Sequence, residues 1–462
     1  METMTLQQIA ASARGRLVAP PGLGERTTGA VCTDTRSLAP GSVFVALRGE
    51  RYDAHDFLPQ TPAAGVLAVV VSADRADRVP AGLARIEVDD TLLALQRIAA
   101  GYRRRLTLRT VAITGSNGKT STKEFTAAVL AEKFNVVKTA GNLNNHVGVP
   151  LMMFSADRHH GAGVFEMGMN HPGELAPLMQ VVGPEVGVVS NVGPVHIENF
   201  ETESAIAQEK AVVARGIPAT GTVVLNADDA WFSAVRQGVI APVVTVGLRQ
   251  KADFSAQSLR TTSSGVEFEI EHAGRRVAAR ISVFGRHMVA NALMAVAAGS
   301  AMGVDLEAAV RGLSKAELPK MRLEPMTIRG VSVINDAYNA NPVSMRAGLQ
   351  TLAALEVSGR RMAVLGDMRE LGAMTEAAHR QLGRDAVEAG VSALYVTGSC
   401  GHWTLEGARE AGLSAAAAHF AESAEALAKK INETAREGDA VLVKGSRGAK
   451  MEEVVAHWQQ LA

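Results

Sequence analysis

The sequence predicts an α/β protein of three domains, and three observations carry this prediction. The chain has 462 residues, too many for one ordinary hydrophobic core. From about residue 108 onward, short apolar runs alternate with segments of helical periodicity, as in parallel sheets covered by helices. The character of the sequence changes twice, so we predict domains at residues 1–107, 108–317 and 318–462.

The first domain is predicted to be a small α/β unit. Two strand-like runs, GSVFVALRG (41–49) and GVLAVVVS (65–72), are joined by polar turns. The segment TLLALQRIAAGYRRRLT (91–107) is typical of a helix that ends in basic residues at the boundary of the domain.

The central domain is predicted to contain a parallel sheet. Its candidate buried strands are RTVAIT (109–114), GVFEMG (163–168), VGVVSN (186–191) and TVVLNA (222–227). Residues 253–284 instead alternate between polar and apolar positions around a glycine turn, which predicts a small antiparallel flap attached to the sheet.

The third domain is predicted to be Rossmann-like. Ala-rich helical segments separate its four candidate strands, VSVIND (331–336), RMAVLGD (361–367), ALYVTGS (393–399) and AVLVKGS (440–446).

Composition excludes several classes of protein. Basic and acidic residues balance at 47 each, which argues against a broad nucleic-acid surface. Cys32 and Cys400 provide no disulfide framework, as expected in a reducing cytosol. No basic segment followed by an apolar run opens the sequence, and apolar runs such as 65–71 fall short of the ~20 residues that cross a bilayer. We therefore expect a cytoplasmic protein without a signal peptide or membrane insertion.

The stretch TVAITGSNGKTST (110–122) predicts a phosphate-binding loop between a strand and a helix. The common form has glycine five residues before the Gly-Lys pair, where this chain has Ile113. Phosphate binding needs free backbone N–H groups at a helix start, glycines, a lysine charge and a hydroxyl for Mg²⁺. A surface turn with a solvated lysine is the alternative. The predicted nucleotide-binding residues are Gly115, Ser116, Asn117, Gly118, Lys119, Thr120 and Ser121.

This variant of the loop resembles the Mur ligase family, ATP-dependent enzymes that build the peptide of bacterial cell-wall precursors. The resemblance continues through TDTRSLAPGSVFVALRGERYDAHDF (33–57), GNLNNHVGVP (141–150), FGRHMVANALMA (284–295), DAYNANPVSMRAGL (336–349), LGDMRELG (365–372) and KGSRGAKME (444–452). The blocks are most similar to the member that adds D-alanyl-D-alanine to UDP-N-acetylmuramoyl-tripeptide. The resemblance implies an ATP- and Mg²⁺-dependent ligase of peptidoglycan precursor synthesis that activates a carboxylate as an acyl phosphate. We expect it to act as a monomer.

The resemblance also implies roles for individual residues. Four would be catalytic, with Lys119 on the phosphates and Glu166, His196 and Lys210 as Mg²⁺ ligands beside Thr120. Several family members carry a carbamylated lysine at the position of Lys210, whereas a lysine on a helix is usually solvated, and both interpretations stay open. Asn291 would contact adenine, Arg322 the γ-phosphate and Asp336 the ribose. ATP would then lie between the second and third domains.

The acceptor would lie on the first domain and the dipeptide on the third. The predicted acceptor-binding residues are Thr35, Arg36, Arg48, Asp53 and His55 for the uridine diphosphate, with Asn142, Asn144 and Asn145 for the carboxylate or phosphate. The family usually has glycine where this chain has Ala54, which would strain a backbone that needs a positive φ.

Rival functions remain open at this point. A sister ligase that adds a diamino acid typically carries an Asp-Asn-Pro-Arg motif, which does not occur in this sequence. A folylpolyglutamate synthase would leave the first domain without a role. A nucleotide-gated switch would turn over nucleotide without an amine acceptor, and a non-catalytic scaffold would not need Lys119 and Glu166.

Overall fold

A five-stranded sheet and a two-stranded ribbon form the first part of the chain. They belong to the computed structural model of the protein, which describes residues 1–262 and 264–461. The elements are β1 (Met4–Thr5), α1 (Leu6–Ala13), β2 (Arg16–Val18), β3 (Thr27–Thr28), β4 (Val31–Cys32), β5 (Val43–Val45), β6 (Ala68–Ser72), β7 (Ala84–Val88) and α2 (Thr91–Arg103). The sheet has the order β2-β7-β6-β5-β4, with β2 antiparallel to β7 and the other pairs parallel.

Helix α2 connects this sheet to the central one. It begins after Asp90, whose side chain accepts a hydrogen bond from Leu93 N at 2.9 Å. The Tyr102 hydroxyl donates to Ala156 O at 2.6 Å, and the Arg103 side chain donates to Val182 O at 2.9 Å and Leu108 O at 2.6 Å. Side chains of α2 and of the central sheet share one hydrophobic cluster, so the two sheets are packed together.

A nine-stranded sheet forms the centre of the protein. Its strands are β8 (Arg109–Thr114), β9 (Val136–Lys138), β10 (Ala162–Glu166), β11 (Val186–Val189), β12 (Thr222–Asn226), β13 (Val243–Gly247), β14 (Phe254–Thr262), β15 (Gly265–His272) and β16 (Arg275–Ile281). Its helices are α3 (Lys119–Ala131), α4 (Gly148–Met153), α5 (Leu175–Val182), α6 (Ile197–Phe200), α7 (Glu203–Arg215), α8 (Phe232–Arg236), α9 (Arg286–Ala301) and α10 (Leu306–Ser314).

The predicted parallel sheet and flap are both confirmed, and they form one continuous sheet. The order is β16-β15-β14-β13-β12-β11-β8-β10-β9, and all pairs from β9 to β14 are parallel. The flap joins through Val246 and Gly247, which pair with Phe254 and Ser255, and then continues antiparallel. Residue 263 of the predicted flap lies outside the described residues.

A six-stranded sheet forms the last part of the chain, as the Rossmann-like prediction requires. Its elements are β17 (Glu324–Ile328), β18 (Val331–Asp336), α11 (Pro342–Ala353), β19 (Arg361–Leu365), α12 (Thr375–Glu388), β20 (Ala393–Val396), α13 (Gly401–Glu410), β21 (Ala418–Phe420), α14 (Ala424–Thr434), β22 (Ala440–Lys444) and α15 (Glu452–Leu461). The order is β17-β18-β22-β19-β20-β21, parallel except for β17.

Two properties agree with the composition. Cys32 and Cys400 are both free thiols. Within residues 1–262 and 264–461, no helix combines the length and the apolar character needed to pass through a bilayer.

Candidate active site

A cavity of about 700 Å³ lies at the carboxyl ends of β8, β10 and β11, facing the third sheet. This edge is where ligands bind in open α/β sheets. Fourteen of the predicted site residues line it: Ser116, Asn117, Gly118, Lys119, Thr120, Ser121, Asn142, Asn144, Asn145, Glu166, His196, Asn291, Arg322 and Asp336. The lining does not include Gly115, Lys210 or the five predicted residues of the first domain.

The phosphate loop connects β8 directly to α3. Gly115 and Gly118 have φ values of 152° and 79°, which residues other than glycine rarely adopt. A Cβ on Gly118 would also lie 2.6 Å from the Asn291 Oδ1. Both glycines are therefore required by backbone geometry and by close packing.

Lys119 is the first residue of α3 and folds back over the loop. Its Nζ donates to Gly115 O at 2.7 Å and Ser116 O at 3.3 Å. Burial lowers the Lys119 pKa; nearby Glu166 opposes the shift and Arg322 adds to it. The carbonyl oxygens carry no net charge, so a bound polyanion would supply the countercharge for the Lys119 ammonium group.

Two residues that follow β11, neither of them predicted from the sequence, hold the loop. The Asn191 side chain accepts from Asn117 N and donates to Asn117 O, each at 2.9 Å. The Ser190 hydroxyl also donates to Asn117 O, at 2.6 Å. These bonds fix the peptide units of the loop before any ligand arrives.

Glu166 ends β10 and is only 2% exposed. Its Oε1 accepts from Asn144 Nδ2 at 2.8 Å, and its backbone N donates to the Thr139 hydroxyl at 2.9 Å. Oε2 is buried and has no hydrogen-bond partner among the described residues. A carboxylate oxygen without a partner, facing a cavity with the Thr120 hydroxyl on its wall, fits a hard cation such as Mg²⁺.

His196 lies across the cavity with a φ of 53°, immediately before α6. Its Nδ1 lies 2.5 Å from the Glu370 Oε2 of the third sheet, a partner that the sequence analysis missed. Burial lowers the His196 pKa, Glu370 opposes the shift, and Lys119 reinforces it. A neutral imidazole with Nδ1 engaged leaves Nε2 as the ring nitrogen available to a metal.

Lys210 lies on α7 and is 1% exposed. Burial holds the Lys210 pKa well below its usual range, nearby Lys119 lowers it further, and Glu209 opposes the shift. A solvated lysine, the ordinary alternative for a helix, is therefore excluded. The structure instead provides a buried amine that readily gives up its proton.

The predicted nucleotide-contacting residues come from both sides of the cavity. Asn291 on α9 is buried, with its Nδ2 3.5 Å from Met288 Sδ. The Arg322 guanidinium lies 4.0 Å above the Tyr338 ring, and its buried Nε has no partner among residues 1–262 and 264–461. Asp336, at the end of β18, accepts from Lys444 Nζ at 2.6 Å, so Lys444 is a further cavity residue that the analysis missed.

His287 is a partly buried histidine on the cavity wall, beside the predicted nucleotide site. Burial lowers its pKa to about 4, opposed by Asp336 and reinforced by Lys444. Because the unfolded chain takes up this proton near pH 6.5 and the folded chain only near 4, acid favours unfolding.

When the pH falls from 7 to 5, the free energy of unfolding of the wild-type protein should decrease by about 2 kcal/mol more than that of the His287→Asn protein. Urea unfolding at both pH values, followed by circular dichroism, measures this difference. His402→Asn, at an exposed position on α13, is the matched control and should lose as much unfolding free energy between the two pH values as the wild type. An equal decrease in the free energy of unfolding for all three proteins would contradict the assignment of this pH dependence to His287.

The predicted uridine-diphosphate residues form local ion pairs. Arg36 pairs with Asp34 at 2.6 Å, and Arg48 pairs with Asp74 at 2.7 Å. Thr35 begins the short 3-10 helix Thr35–Ser37. Ala54 is not among the residues with positive φ, so its side chain causes no strain.

His55 is buried and joins the loop that carries it to the end of β6. Its Nε2 accepts from Ser72 N at 3.0 Å, so Nδ1 carries the proton and contacts Asp53 Oδ1 at 2.5 Å. Both ring nitrogens are engaged within the protein. His55 thus positions its loop, and its contact with substrate stays a prediction.

The three predicted asparagines differ in their surroundings. Asn144 donates to Glu166, as described above. Asn145 Oδ1 accepts at 2.8 Å from the backbone N of Gly148, the first residue of α4, while Asn142 is exposed. Asn144 positions the candidate metal ligand, and the acceptor contacts of all three stay predictions.

Comparison with known proteins places this site in a family. The chain matches the Mur ligase family, catalytic domain, at residues 28–103; the Mur ligase middle domain at 113–299; and the Mur ligase, glutamate ligase domain, at 321–447. It is 38% identical to the UDP-N-acetylmuramoyl-tripeptide--D-alanyl-D-alanine ligase of Escherichia coli (strain K12), over 100% of this chain and 99% of the relative.

Solved structures agree with the sequence matches. A crystal structure of MurF from Acinetobacter baumannii superposes with a TM-score of 0.91 at 31% identity, covering 100% of this chain and 99% of that one. MurF from Thermotoga maritima in complex with ADP superposes with a TM-score of 0.82 at 25% identity, covering 93% and 97%. The resemblance predicted from the sequence motifs is confirmed, and the chain belongs to the Mur ligase family.

Proposed function

We propose that the protein is an ATP-dependent ligase that adds D-alanyl-D-alanine to UDP-N-acetylmuramoyl-tripeptide in peptidoglycan precursor synthesis. The observation that carries this proposal is the cavity, where a phosphate loop, the unpaired Glu166 oxygen and the Arg322 guanidinium meet. The full-length relative of E. coli is named for the same reaction. The cytoplasm is the proposed location, because Cys32 and Cys400 are free thiols, as expected in a reducing compartment.

Four of the cavity residues have specific roles in the proposed reaction. Lys119 and Arg322 bind the transferring phosphoryl group from two sides and offset its developing charge. Glu166 and Thr120 would hold Mg²⁺, which when bound neutralises phosphate charge. The acceptor carboxylate attacks the γ-phosphorus of ATP, which forms an acyl phosphate and releases ADP. The dipeptide amine then attacks the acyl carbon, which forms the amide bond and releases phosphate and a proton.

We propose that the domains are residues 1–107, 108–317 and 318–462, because every strand of each main sheet lies within one of these spans. The first would bind the uridine diphosphate through Thr35, Arg36, Arg48, Asp53 and His55. The third would bind the dipeptide. We propose that the protein acts as a monomer, and its balanced charge predicts no nucleic-acid partner.

We propose that Lys210 becomes carbamylated and, with His196, holds a second Mg²⁺. Its buried and easily deprotonated amine is suited to react with CO₂. We expect Lys210→Ala to lower turnover at least about 100-fold and acetate to restore part of it, because a small carboxylate can replace the carbamate. Phosphate release measures both effects, and a carbamate resonance in ¹³C NMR of wild-type protein supplied with labelled bicarbonate is the independent check. Absence of that resonance, together with no acetate rescue, would exclude the carbamate.

The phosphate loop also contacts the third sheet through an amide pair. Asn341 Nδ2 donates to Asn117 Oδ1 at 2.7 Å, and Asn117 Nδ2 lies 3.4 Å from Asn341 Oδ1. The same Asn341 oxygen caps α11 by accepting from Ser344 N at 2.9 Å. This pair therefore connects the loop to α11, a helix that lines the cavity.

We expect Asn341→Ser to lower kcat/KM for ATP about tenfold with little change in stability, because serine keeps the helix cap but removes the amide donor. Steady-state kinetics and thermal unfolding separate the two effects. The matched control is Asp305→Ser, which changes the cap of α10 outside the cavity. A wild-type kcat/KM in the Asn341→Ser protein would show that the pair does not contribute.

The decisive experiment measures phosphate release from ATP and Mg²⁺ with UDP-N-acetylmuramoyl-tripeptide and candidate amines added one at a time. Release that requires D-alanyl-D-alanine, with the pentapeptide product found by mass spectrometry, supports the proposal. Dependence on a diamino acid and the UDP-dipeptide would instead show the sister activity. Release that needs neither substrate would show a nucleotide-gated switch.

A further inference from the structure

We propose that Glu370 is a positioning residue that orients the imidazole of His196, so that the second Mg²⁺ site is complete only while the third domain is docked on the central one. The proposal rests on the metal role proposed above for His196 and Lys210. It assigns a function to Glu370, which the proposed reaction so far leaves unused. Glu370 and His196 both line the cavity.

The contact between Glu370 and His196 joins two loops that belong to different sheets. His196 lies in the loop that follows β11 of the central sheet, whereas Glu370 lies in the loop that follows β19 of the third sheet. The His196 Nδ1 is 2.5 Å from the Glu370 Oε2. Because each sheet supplies only one partner, the contact exists only while the two sheets are packed against each other.

Two further contacts join the same parts of the molecule. A Cβ on Gly372 would lie 3.6 Å from the Glu198 Cβ, so the two loops also meet beside the first contact. A Cβ on Gly193 would lie 3.3 Å from the Val343 Cγ2 at the start of α11. The segment 193–198 therefore lies against the third domain on both sides of His196.

Both partners have a left-handed backbone. The φ angle is 53° at His196 and 62° at Glu370, and residues other than glycine rarely adopt such values. Strained conformations of this kind persist where the surrounding structure imposes them, and they cluster at functional sites. An ion pair near the surface contributes little to stability. Stability alone therefore does not account for strain at both partners, whereas a need to orient the imidazole does.

Each partner is fixed to a hydrophobic cluster of its own. Beside His196, Ile197 and Phe200 are buried in the cluster that α2 shares with the central sheet. Beside Glu370, Met368 and Leu371 are 2% and 3% exposed and belong to a different cluster, which contains side chains of β19 and β20. The imidazole is thus attached to the central domain and the carboxylate to the third.

The geometry at His196 fits a metal ligand that is held from behind. Burial lowers the His196 pKa, Glu370 opposes this shift, and nearby Lys119 and Lys210 both add to it, so the ring lies close to the groups proposed to bind phosphate and metal. Histidine ligands of metals usually donate their second ring N–H to a carboxylate or carbonyl group, which fixes the tautomer and the ring plane. Glu370 occupies the position of that carboxylate, because it contacts Nδ1 and leaves Nε2 for the metal.

The contact makes metal binding and domain docking depend on each other. The two proposed ligands, His196 and Lys210, both belong to the central domain, and Glu370 gives the third domain an influence on them. If Glu370 strengthens metal binding at His196, bound metal must strengthen the docking of the third domain by the same factor, as thermodynamic linkage requires.

The test measures binding of Mn²⁺, a paramagnetic substitute for Mg²⁺, by electron paramagnetic resonance in the presence of bicarbonate and without nucleotide or substrates. Glu370→Ala should weaken the site that contains His196 about tenfold. Glu370→Gln keeps an oxygen that can accept from Nδ1 and should restore most of the affinity. Glu422→Ala, at an exposed position of the third domain outside the cavity, is the matched control and should bind Mn²⁺ as the wild type does.

A double-mutant cycle separates positioning from a general structural effect. His196→Ala should abolish the same Mn²⁺ site, and adding Glu370→Ala to it should cause no further loss, because Glu370 acts through His196. Hydrogen exchange of residues 366–374 gives the reciprocal readout. Mg²⁺ should slow this exchange in the wild-type protein but not in the Glu370→Ala protein.

Three results would overturn the positioning role. One is wild-type Mn²⁺ affinity in the Glu370→Ala protein, which would assign Glu370 to a substrate if the KM for the dipeptide rose instead. Another is an equal loss of Mn²⁺ binding when Glu370→Ala is added to the wild type and to His196→Ala. The third is wild-type Mn²⁺ binding in His196→Ala, which would remove the metal role of His196 itself. Failure of the proposed ligase function is a separate outcome, since no pentapeptide would then form while Mn²⁺ binding stayed intact.

Discussion

Replacing Lys119 with alanine is expected to lower ligase turnover by at least about 1,000-fold, because the loop loses its charge toward the transferring phosphoryl group. Among residues 1–262 and 264–461, the Lys119 Nζ hydrogen-bonds only to the carbonyl oxygens of Gly115 and Ser116, so it is free to move onto a phosphate. Phosphate release in the presence of both substrates measures the loss.

Folding is expected to survive this substitution. Lys119 opens α3, but the buried Phe125, Val129 and Leu130 hold the helix against the sheet. Thermal unfolding should therefore change by only a few degrees. Lys251→Ala, in the exposed turn before the flap, is the matched control and should retain full activity. Full ligase activity in a well-folded Lys119→Ala protein would refute the assignment of the loop.

Replacing Glu166 with glutamine is expected to lower turnover about 100- to 1,000-fold and to raise the Mg²⁺ concentration required. Glutamine nearly preserves the shape of the side chain, and its oxygen can still accept from Asn144. The change therefore removes the negative charge and the free second oxygen, which are the features that fit a cation. Phosphate release titrated with MgCl₂ measures both effects.

Two further variants serve as controls for the Glu166→Gln substitution. Glu166→Asp keeps the charge and should recover part of the activity at high Mg²⁺. Glu185→Gln removes a half-exposed carboxylate that pairs with Arg109 before β11, and it should leave the Mg²⁺ dependence unchanged. An unchanged Mg²⁺ requirement in Glu166→Gln would assign the metal to other ligands.

The fold could be predicted largely from the sequence because its signals are local. Apolar runs of β-branched residues such as RTVAIT became buried strands, since such a run is stable only when both of its faces are covered. Strand limits were less accurate: the run at 41–49 contributes only Val43–Val45 to the sheet, because the polar residues around it form turns. The alternating residues 253–284 were correctly predicted to be an antiparallel flap attached to the sheet, and the structure adds that the junction is a parallel pairing of Val246 and Gly247 with Phe254 and Ser255.

The candidate site could be predicted only in part. Fourteen predicted residues line the cavity, since the loop motif and the strand ends place them at one edge of the sheet. Asn191, Glu370, Asn341 and Lys444 were missed. Their types, asparagine, glutamate and lysine, are common in loops, and nothing in the neighbouring sequence distinguishes them from solvated residues.

The sequence by itself determined the order of strand, glycine loop and helix, and with it the chemistry of the phosphate site. Glycine conformations and helix starts depend on residues that are adjacent in the chain. The tertiary structure alone decided which distant groups meet. Asn117 and Asn341, 224 positions apart, form a hydrogen-bonded pair, and the unpaired atoms of Glu166, Arg322 and Ser446 surround one cavity. Such pairings depend on how separately formed sheets pack against one another, because a side chain's burial and remaining hydrogen-bonding capacity are set only when its neighbours are in place.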